Sequence, residues 1–228
     1  MKLNLTIPSS RLHEKVDSEQ RKSTCHSSNA TISISYADAR RKLLLLIIMI
    51  ELVYVAYMLV LISPVAAWTT IGKKWPSPPY PNLSYANTCD GTEWTATETS
   101  LSDWENIDAT NPPNFYVYDP DNPNEPHISI WDPYEPDVTW DGRAIIWYSG
   151  DWIVFVEIQI NEYYTSTYEF DKVRSVAGHE IGHALGLGDE SEDKAVLMNP
   201  NSARRYDEFG IYKPTQDEVN GINYLYGG

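Results

Sequence analysis

The sequence predicts an α+β domain over roughly its C-terminal two-thirds. Three observations carry this: a strand hairpin near residues 144–160, a helix bearing two histidines soon after it, and a capped helix near the C-terminus. The hairpin joins residues 144–148 to residues 152–160 through Ser149, Gly150 and Asp151. In its second arm Val154, Val156, Ile158 and Ile160 alternate with Glu157 and Gln159, the period of a strand with one buried face. Asp171 is placed to cap a helix running to about Leu185, and Gly186 to stop it. Near the C-terminus Thr215-Gln216-Asp217-Glu218 is a capping box following Pro214. The helix it opens puts Val219, Ile222, Asn223 and Tyr226 on one side.

Upstream the signals are shorter. Residues 111–136 are dense in Pro, Asn and Asp, with strand candidates at Phe115–Tyr118 and Ile128–Trp131. A short helix is expected around Ser100–Ile107. Residues 1–39 form a polar, Ser-rich leader without periodicity, which reads as disordered. An apolar run from Leu43 to Ile62 comes next, interrupted only by Glu51, and about 20 such residues can cross a bilayer. Arg40, Arg41 and Lys42 precede it, which keeps the N-terminal side cytoplasmic and sends the rest outside. Val65-Ala66-Ala67 supplies the small residues of a signal-peptidase site. Residues 40–67 are therefore a cleaved signal peptide or an uncleaved membrane anchor. Residues 68–82 read as a Pro-rich spacer and 83–228 as the folded domain.

From Trp68 onwards there are 27 acidic side chains against 9 basic ones, within a chain of net charge −15. Such a surface repels nucleic acid and anionic lipid, so membrane contact is expected only through the N-terminal apolar segment. The acidic loop Asp119–Glu125 offers oxygen ligands of the kind calcium takes; a solvated acidic surface explains it equally. Cys89 is the one cysteine after the apolar run, so no internal disulfide braces the domain. It is read as a buried small side chain, with a metal-capping thiol as the alternative.

The chemistry concentrates in residues 179–189. On a helix, residues four apart differ by about 40° in direction, so His179 and His183 share a face and can grip one zinc ion. Glu180 points about 100° away from His179, free to lie beside a water on the metal. Zinc needs a third protein ligand with the fourth position left open. Gly186 can turn the chain back, and Asp189 comes three residues later with a competent carboxylate. Glu190, Glu192 and Asp193 crowd the same loop, and Asp193 is the rival third ligand. His127 is the only other histidine after the apolar run.

The run HEIGHALGLGD resembles the zinc helix of the metzincin proteases, and is especially similar to matrixins. Leu197-Met198-Asn199-Pro200 resembles their Met-turn, and residues 214–227 resemble the matrixin C-terminal helix. The likeness is specific from about Ile158 to Gly227. It implies a small twisted mixed sheet packed on the zinc helix, with a C-terminal subdomain carrying Met198 and the last helix. Two departures stand out. Most metzincins carry His where this chain has Asp189, although the snapalysin-like branch also uses Asp. Pro200 occupies the position where astacin-like enzymes keep a zinc-binding Tyr.

The resemblance implies a secreted or membrane-anchored zinc metalloendopeptidase acting on protein or peptide substrates outside the cytoplasm, with Glu180 as general base. It further implies that an extended peptide pairs with an edge strand above the zinc, for which Ala144, Ile145, Ile146, Trp147 and Tyr148 are the candidates. The loop 199–213 would wall the pocket beyond the cleaved bond. Two rivals are an inactive zinc-binding module and a membrane-tethered binding domain with an accidental HExxH.

Overall fold

A computed structural model describes residues 36–61, 68–76, 81–121 and 126–227, which fall into two units, Met1–Val65 and Ala66–Gly228. In the first, helix α1 spans Tyr36–Leu61, beginning inside the polar leader. Its apolar side chains from Leu43 to Tyr54 are exposed. No helix among the described residues is long and apolar enough to cross a membrane, so the anchor drawn from residues 43–62 finds no support there. Residue 62, the cleavage motif 65–67, leader residues 1–35 and spacer residues 77–80 lie outside the described residues.

The second unit is built on strands β1 (Asn82–Asn87), β2 (Asn114–Val117), β3 (Ile128–Trp131), β4 (Gly142–Ser149) and β5 (Trp152–Ile160). Their order is β2-β1-β3-β5-β4, parallel except for the antiparallel β4–β5 hairpin at one edge. The domain is α+β with a mixed sheet. Val156, Ile158 and Ile160 of β5 are fully buried, as the alternation requires. Val154 is not: it is 51% exposed, and Ile153 is buried in its place. Trp147 pairs with Phe155 and Tyr148 with Ile153, so Val154 is the extra residue of a β-bulge. A bulge shifts the in-out alternation by one, which a strict period of two cannot anticipate.

Helix α2 spans Gly91–Glu105, far longer than the expected Ser100–Ile107. Its buried stripe is Glu93, Ala96, Thr97, Ser100, Leu101 and Trp104, a true helical spacing written largely in polar residues. Three of those residues bond inward. Glu93 accepts from Thr165 Oγ1, Ser100 Oγ donates to the Arg174 carbonyl, and Trp104 Nε1 donates to the Gly178 carbonyl. The last two acceptors lie on helix α4 (Phe170–Ala184), which comes after the single turn α3 (Glu162–Thr165). Cys89 belongs to the core formed with these helices and the sheet.

Helix α4 starts one residue before the expected cap. Glu169 occupies the N-cap without a side-chain bond, and Asp171 sits in the first turn. Its end is a Schellman motif: the Gly186 amide donates to the His183 carbonyl and the Leu187 amide to Gly182, with Gly186 at φ +98°. A π-helical turn (Ala203–Glu208) and helix α5 (Gln216–Tyr226) complete the unit. The α5 capping box is formed, and α5 buries Val219, Ile222, Leu225 and Tyr226 while Asn223 is only partly buried.

Candidate active site

Val173, Val176, Ala177, Ile181 and Ala184 of α4 are fully buried, which fixes the helix against the core. The opposite side of the helix then presents His179 and His183 to an open cleft of about 620 Å³. Each ring is oriented by a main-chain carbonyl. His179 Nδ1 lies 2.9 Å from the Leu197 carbonyl, and His183 Nδ1 lies 3.0 Å from that of Leu187. A carbonyl only accepts, so both Nδ1 atoms carry the proton and both Nε2 atoms offer a lone pair.

The two Nε2 atoms are 3.1 Å apart, and Asp189 Oδ1 is 3.4 Å from each. Two unprotonated nitrogens gain nothing from facing each other at that distance. Donors held about 2.0–2.1 Å from one tetrahedral zinc stand about 3.3 Å from one another. The residues present therefore fit a zinc ion. Among the described residues His179, His183 and Asp189 form the only group of three or more potential metal ligands. Residues 122–125 of the acidic loop, a calcium candidate in the sequence, lie outside the described residues. Asp193, the rival third ligand, is not part of the group; its carboxylate accepts from Ser191 Oγ.

Burial dominates the electrostatics. It pushes the Glu180 carboxyl up to about 7 against the pull of His183 and Arg205. Burial and the Arg205 charge bring His179 down to about 3. For His183 burial pulls down, but the Asp189 bond and the Glu180 charge outweigh it, and the ring ends above its ordinary value. The imidazoles of His179 and His183, each 3.4 Å away, hold Asp189 well below the usual carboxylate range.

Met198 is 2% exposed and lies against Gly182, where a methyl group would collide with its Sδ. Glu218 of α5 holds the Met198 turn: its Oε1 accepts from the Met198 amide at 2.9 Å, while Oε2 accepts from the Thr215 amide at 2.7 Å. Strand β4 is the outer strand of the sheet, yet only Ala144 of residues 144–148 lines the cleft. Ile145, Ile146, Trp147 and Tyr148 lie farther along, and residues 139–143 line the cleft before them.

Several cleft residues carry no sequence signal of their own. Asn161, fully buried, donates to the Glu135 and Trp140 carbonyls and accepts from the Glu135 amide, which shapes the segment entering β4. Asn161 lies behind the cleft, while Asp141, Tyr164, Tyr168 and Arg205 line it. None belongs to a short motif, so only their placement in the fold brings them together. Cys89 is not at the cleft; burial pushes its thiol far up, which suits a core residue rather than a metal cap.

The matrixin family model matches residues 90–227, and the chain belongs to the matrixin family. The match begins at α2, well before the stretch in which the short motifs are recognisable. Neutrophil collagenase of Homo sapiens is 48% identical over 52 residues, covering 23% of this chain and 10% of that protein. Matrix metalloproteinase-18 of Xenopus laevis is 39% identical over 67 residues, 29% of this chain and 14% of its own. Metalloendoproteinase 1 of Glycine max is 44% identical over 61 residues, 27% and 18% respectively. The chain thus spans less than a fifth of the length of these relatives. Myroilysin, among solved structures, aligns over 53% of each chain at 14% identity with a TM-score of 0.35, a likeness that carries no argument about the site.

Proposed function

We propose that this protein is a zinc metalloendopeptidase acting on proteins or peptides outside the cytoplasm. The observation that carries the reading is the convergence of His179 Nε2, His183 Nε2 and Asp189 Oδ1, with Glu180 buried in the same cleft. Zinc held by these three residues would supply Lewis acidity, polarising the scissile carbonyl and acidifying a water. Glu180 would take the proton from that water and return it to the leaving amine, and burial, which raises its carboxyl, favours its holding the proton between the two steps. Leu197 and Leu187 hold the imidazoles in the tautomer that leaves Nε2 free.

The outer position of β4 supports pairing of an extended substrate along it, with Ala144 the one of residues 144–148 that lines the cleft. The basic and then apolar order of residues 40–62 supports export of the catalytic domain. The test compares the full chain with Glu180→Ala for zinc content and for cleavage of unfolded casein. Stoichiometric zinc in both, with chelator-sensitive cleavage only in the parent, is expected. Zinc without cleavage in the parent makes it an inactive module, and absence of zinc removes the reading.

A further inference from the structure

Arg205 carries a permanent charge, yet only 1% of its surface is exposed. It sits on the π-helical turn Ala203–Glu208 and lines the cleft together with His179, Glu180 and Ser202. Irregular turns of this kind are frequent at functional sites. Its Nε donates to Ser175 Oγ at 2.8 Å and its Nη1 to the Asn199 carbonyl at 2.5 Å. Both acceptors are neutral. Arg205 makes no ion pair within 4.0 Å among the described residues, and Nη2 makes no hydrogen bond there.

The carboxylates that feel this charge from farther away have partners of their own. Asp189 faces the two imidazoles, Glu218 is bound by the Met198 and Thr215 amides, and Asp141 accepts from Tyr168. Glu180, on the proposed mechanism, is reserved for the proton transfer. A buried cation without a direct ion pair is costly, and the cost is relieved when a carboxylate comes into contact with it. A guanidinium already fixed through Nε and Nη1 is pre-organised for a carboxylate, which it meets with a planar fork of donors.

The turn bearing Arg205 lies in the loop 199–213, which on the protease reading walls the pocket for the side chain after the cut. We propose that Arg205 is a specificity-determining residue, and that the cleft takes an acidic side chain, aspartate or glutamate, immediately C-terminal to the cleaved bond. The assignment rests on the protease reading. The hydrogen bonds to Ser175 and Asn199 hold the guanidinium at the cleft, and the incoming carboxylate completes its coordination. An aliphatic side chain in the same place would bury the charge further without pairing it.

The experiment digests an unfolded protein mixture with the zinc-loaded full chain and reads the new N-termini by mass spectrometry. Peptides differing only in Glu, Gln or Leu after the cut are then compared by kcat/KM. New N-termini dominated by Asp and Glu are expected, with Glu favoured over the isosteric Gln by about tenfold and the ratio shrinking as salt rises. Arg205→Lys should keep part of the preference, and Arg205→Gln, if zinc-loaded and folded, should bring the ratio near one. Equal cleavage of the Glu and Gln peptides, aliphatic N-termini from the parent, or a preference that survives Arg205→Gln each overturns the assignment while leaving the protease reading intact. No cleavage of any substrate by zinc-loaded protein overturns the protease reading, and the assignment with it.

Discussion

Thr69 Oγ1 donates to the main-chain carbonyl of Asp189 at 2.6 Å, tying a segment 120 positions upstream to the candidate third ligand. The contact is part of a short lacing. The Gly188 amide donates to the Thr69 carbonyl at 3.0 Å, the Ile71 amide donates to the Gly186 carbonyl at 3.0 Å, and Thr70 bridges Leu187. The loop from Gly186 to Asp189 has no helix or strand of its own, so these bonds set where the carboxylate stands.

Thr69→Val should therefore weaken zinc binding more than it weakens the fold. A neutral exposed hydrogen bond is worth about 0.5–1.5 kcal/mol of stability. Loss of a group that orients a metal ligand typically costs about 10–100-fold in affinity, and the lower end is expected because Thr69 acts through the backbone. Competition with a chromogenic chelator reads the affinity, and a urea midpoint reads the fold. An unchanged zinc affinity would show that the lacing does not position Asp189.

Gly142 opens β4 at close range to the zinc helix. A Cβ added there would stand 2.6 Å from Val176 Cγ1 and 2.9 Å from Glu180 Oε1. Gly142→Ala must move the helix, the strand or the Glu180 carboxylate. Overpacking of this kind costs about 1–3 kcal/mol. The expected outcome is a fall in kcat of tenfold or more at full zinc occupancy, because Glu180 is the nearest polar group displaced. A variant with normal kcat would mean that the strand, not the carboxylate, gives way.

The site and the last helix were legible in the sequence for one reason: their determinants are local. HEIGH needs only a helical turn, the capping box needs four residues, and both form as read. Strand β1 was missed, and only the C-terminal end of helix α2 was read, because their determinants are not local. Strand β1 offers only Leu83, Tyr85 and Ala86 as apolar residues, and its place between β2 and β3 is set by pairing. Helix α2 buries Glu93 and Ser100, which are satisfied in the core only because Thr165 donates to the first and the Arg174 carbonyl of α4 accepts from the second. Arg205 escapes a motif search for the same reason: its acceptors are 30 and 6 residues away.

Glu218 joins two elements that the sequence shows separately. Fully buried, it closes the α5 cap through Thr215 and holds the Met198 amide with its other oxygen. Thr215→Ala removes one capping bond and should cost about 0.5–2 kcal/mol. Glu218→Ala orphans the Met198 amide as well and should cost at least about 2 kcal/mol. The two share one network, so the double variant should lose less than the sum. Urea titrations of the three variants check the order, and a Glu218→Ala loss no larger than that of Thr215→Ala would sever the link to the Met198 turn.

His127 offers a pH dependence away from the metal. Burial lowers its pKa below the ordinary value of about 6.5, and its Nδ1 accepts from the Ser84 amide at 3.0 Å. The ring stands edge-on to Trp75, with centroids 5.5 Å apart. Protonation would place a hydrogen where the Ser84 amide already donates, so the folded state holds the neutral ring while the unfolded chain takes up a proton below about pH 6.5. The unfolded state then binds more protons, and stability falls as the pH drops through that value. At pH 8 both states are neutral at this position and the penalty is absent. His127→Asn, which keeps an acceptor for Ser84 but cannot charge, should cost stability at pH 8 and yet narrow the difference between the urea midpoints at pH 8 and pH 5.5. An equal pH-dependent shift in parent and variant would assign the acid sensitivity to other groups, with the histidines of the metal site the first to examine.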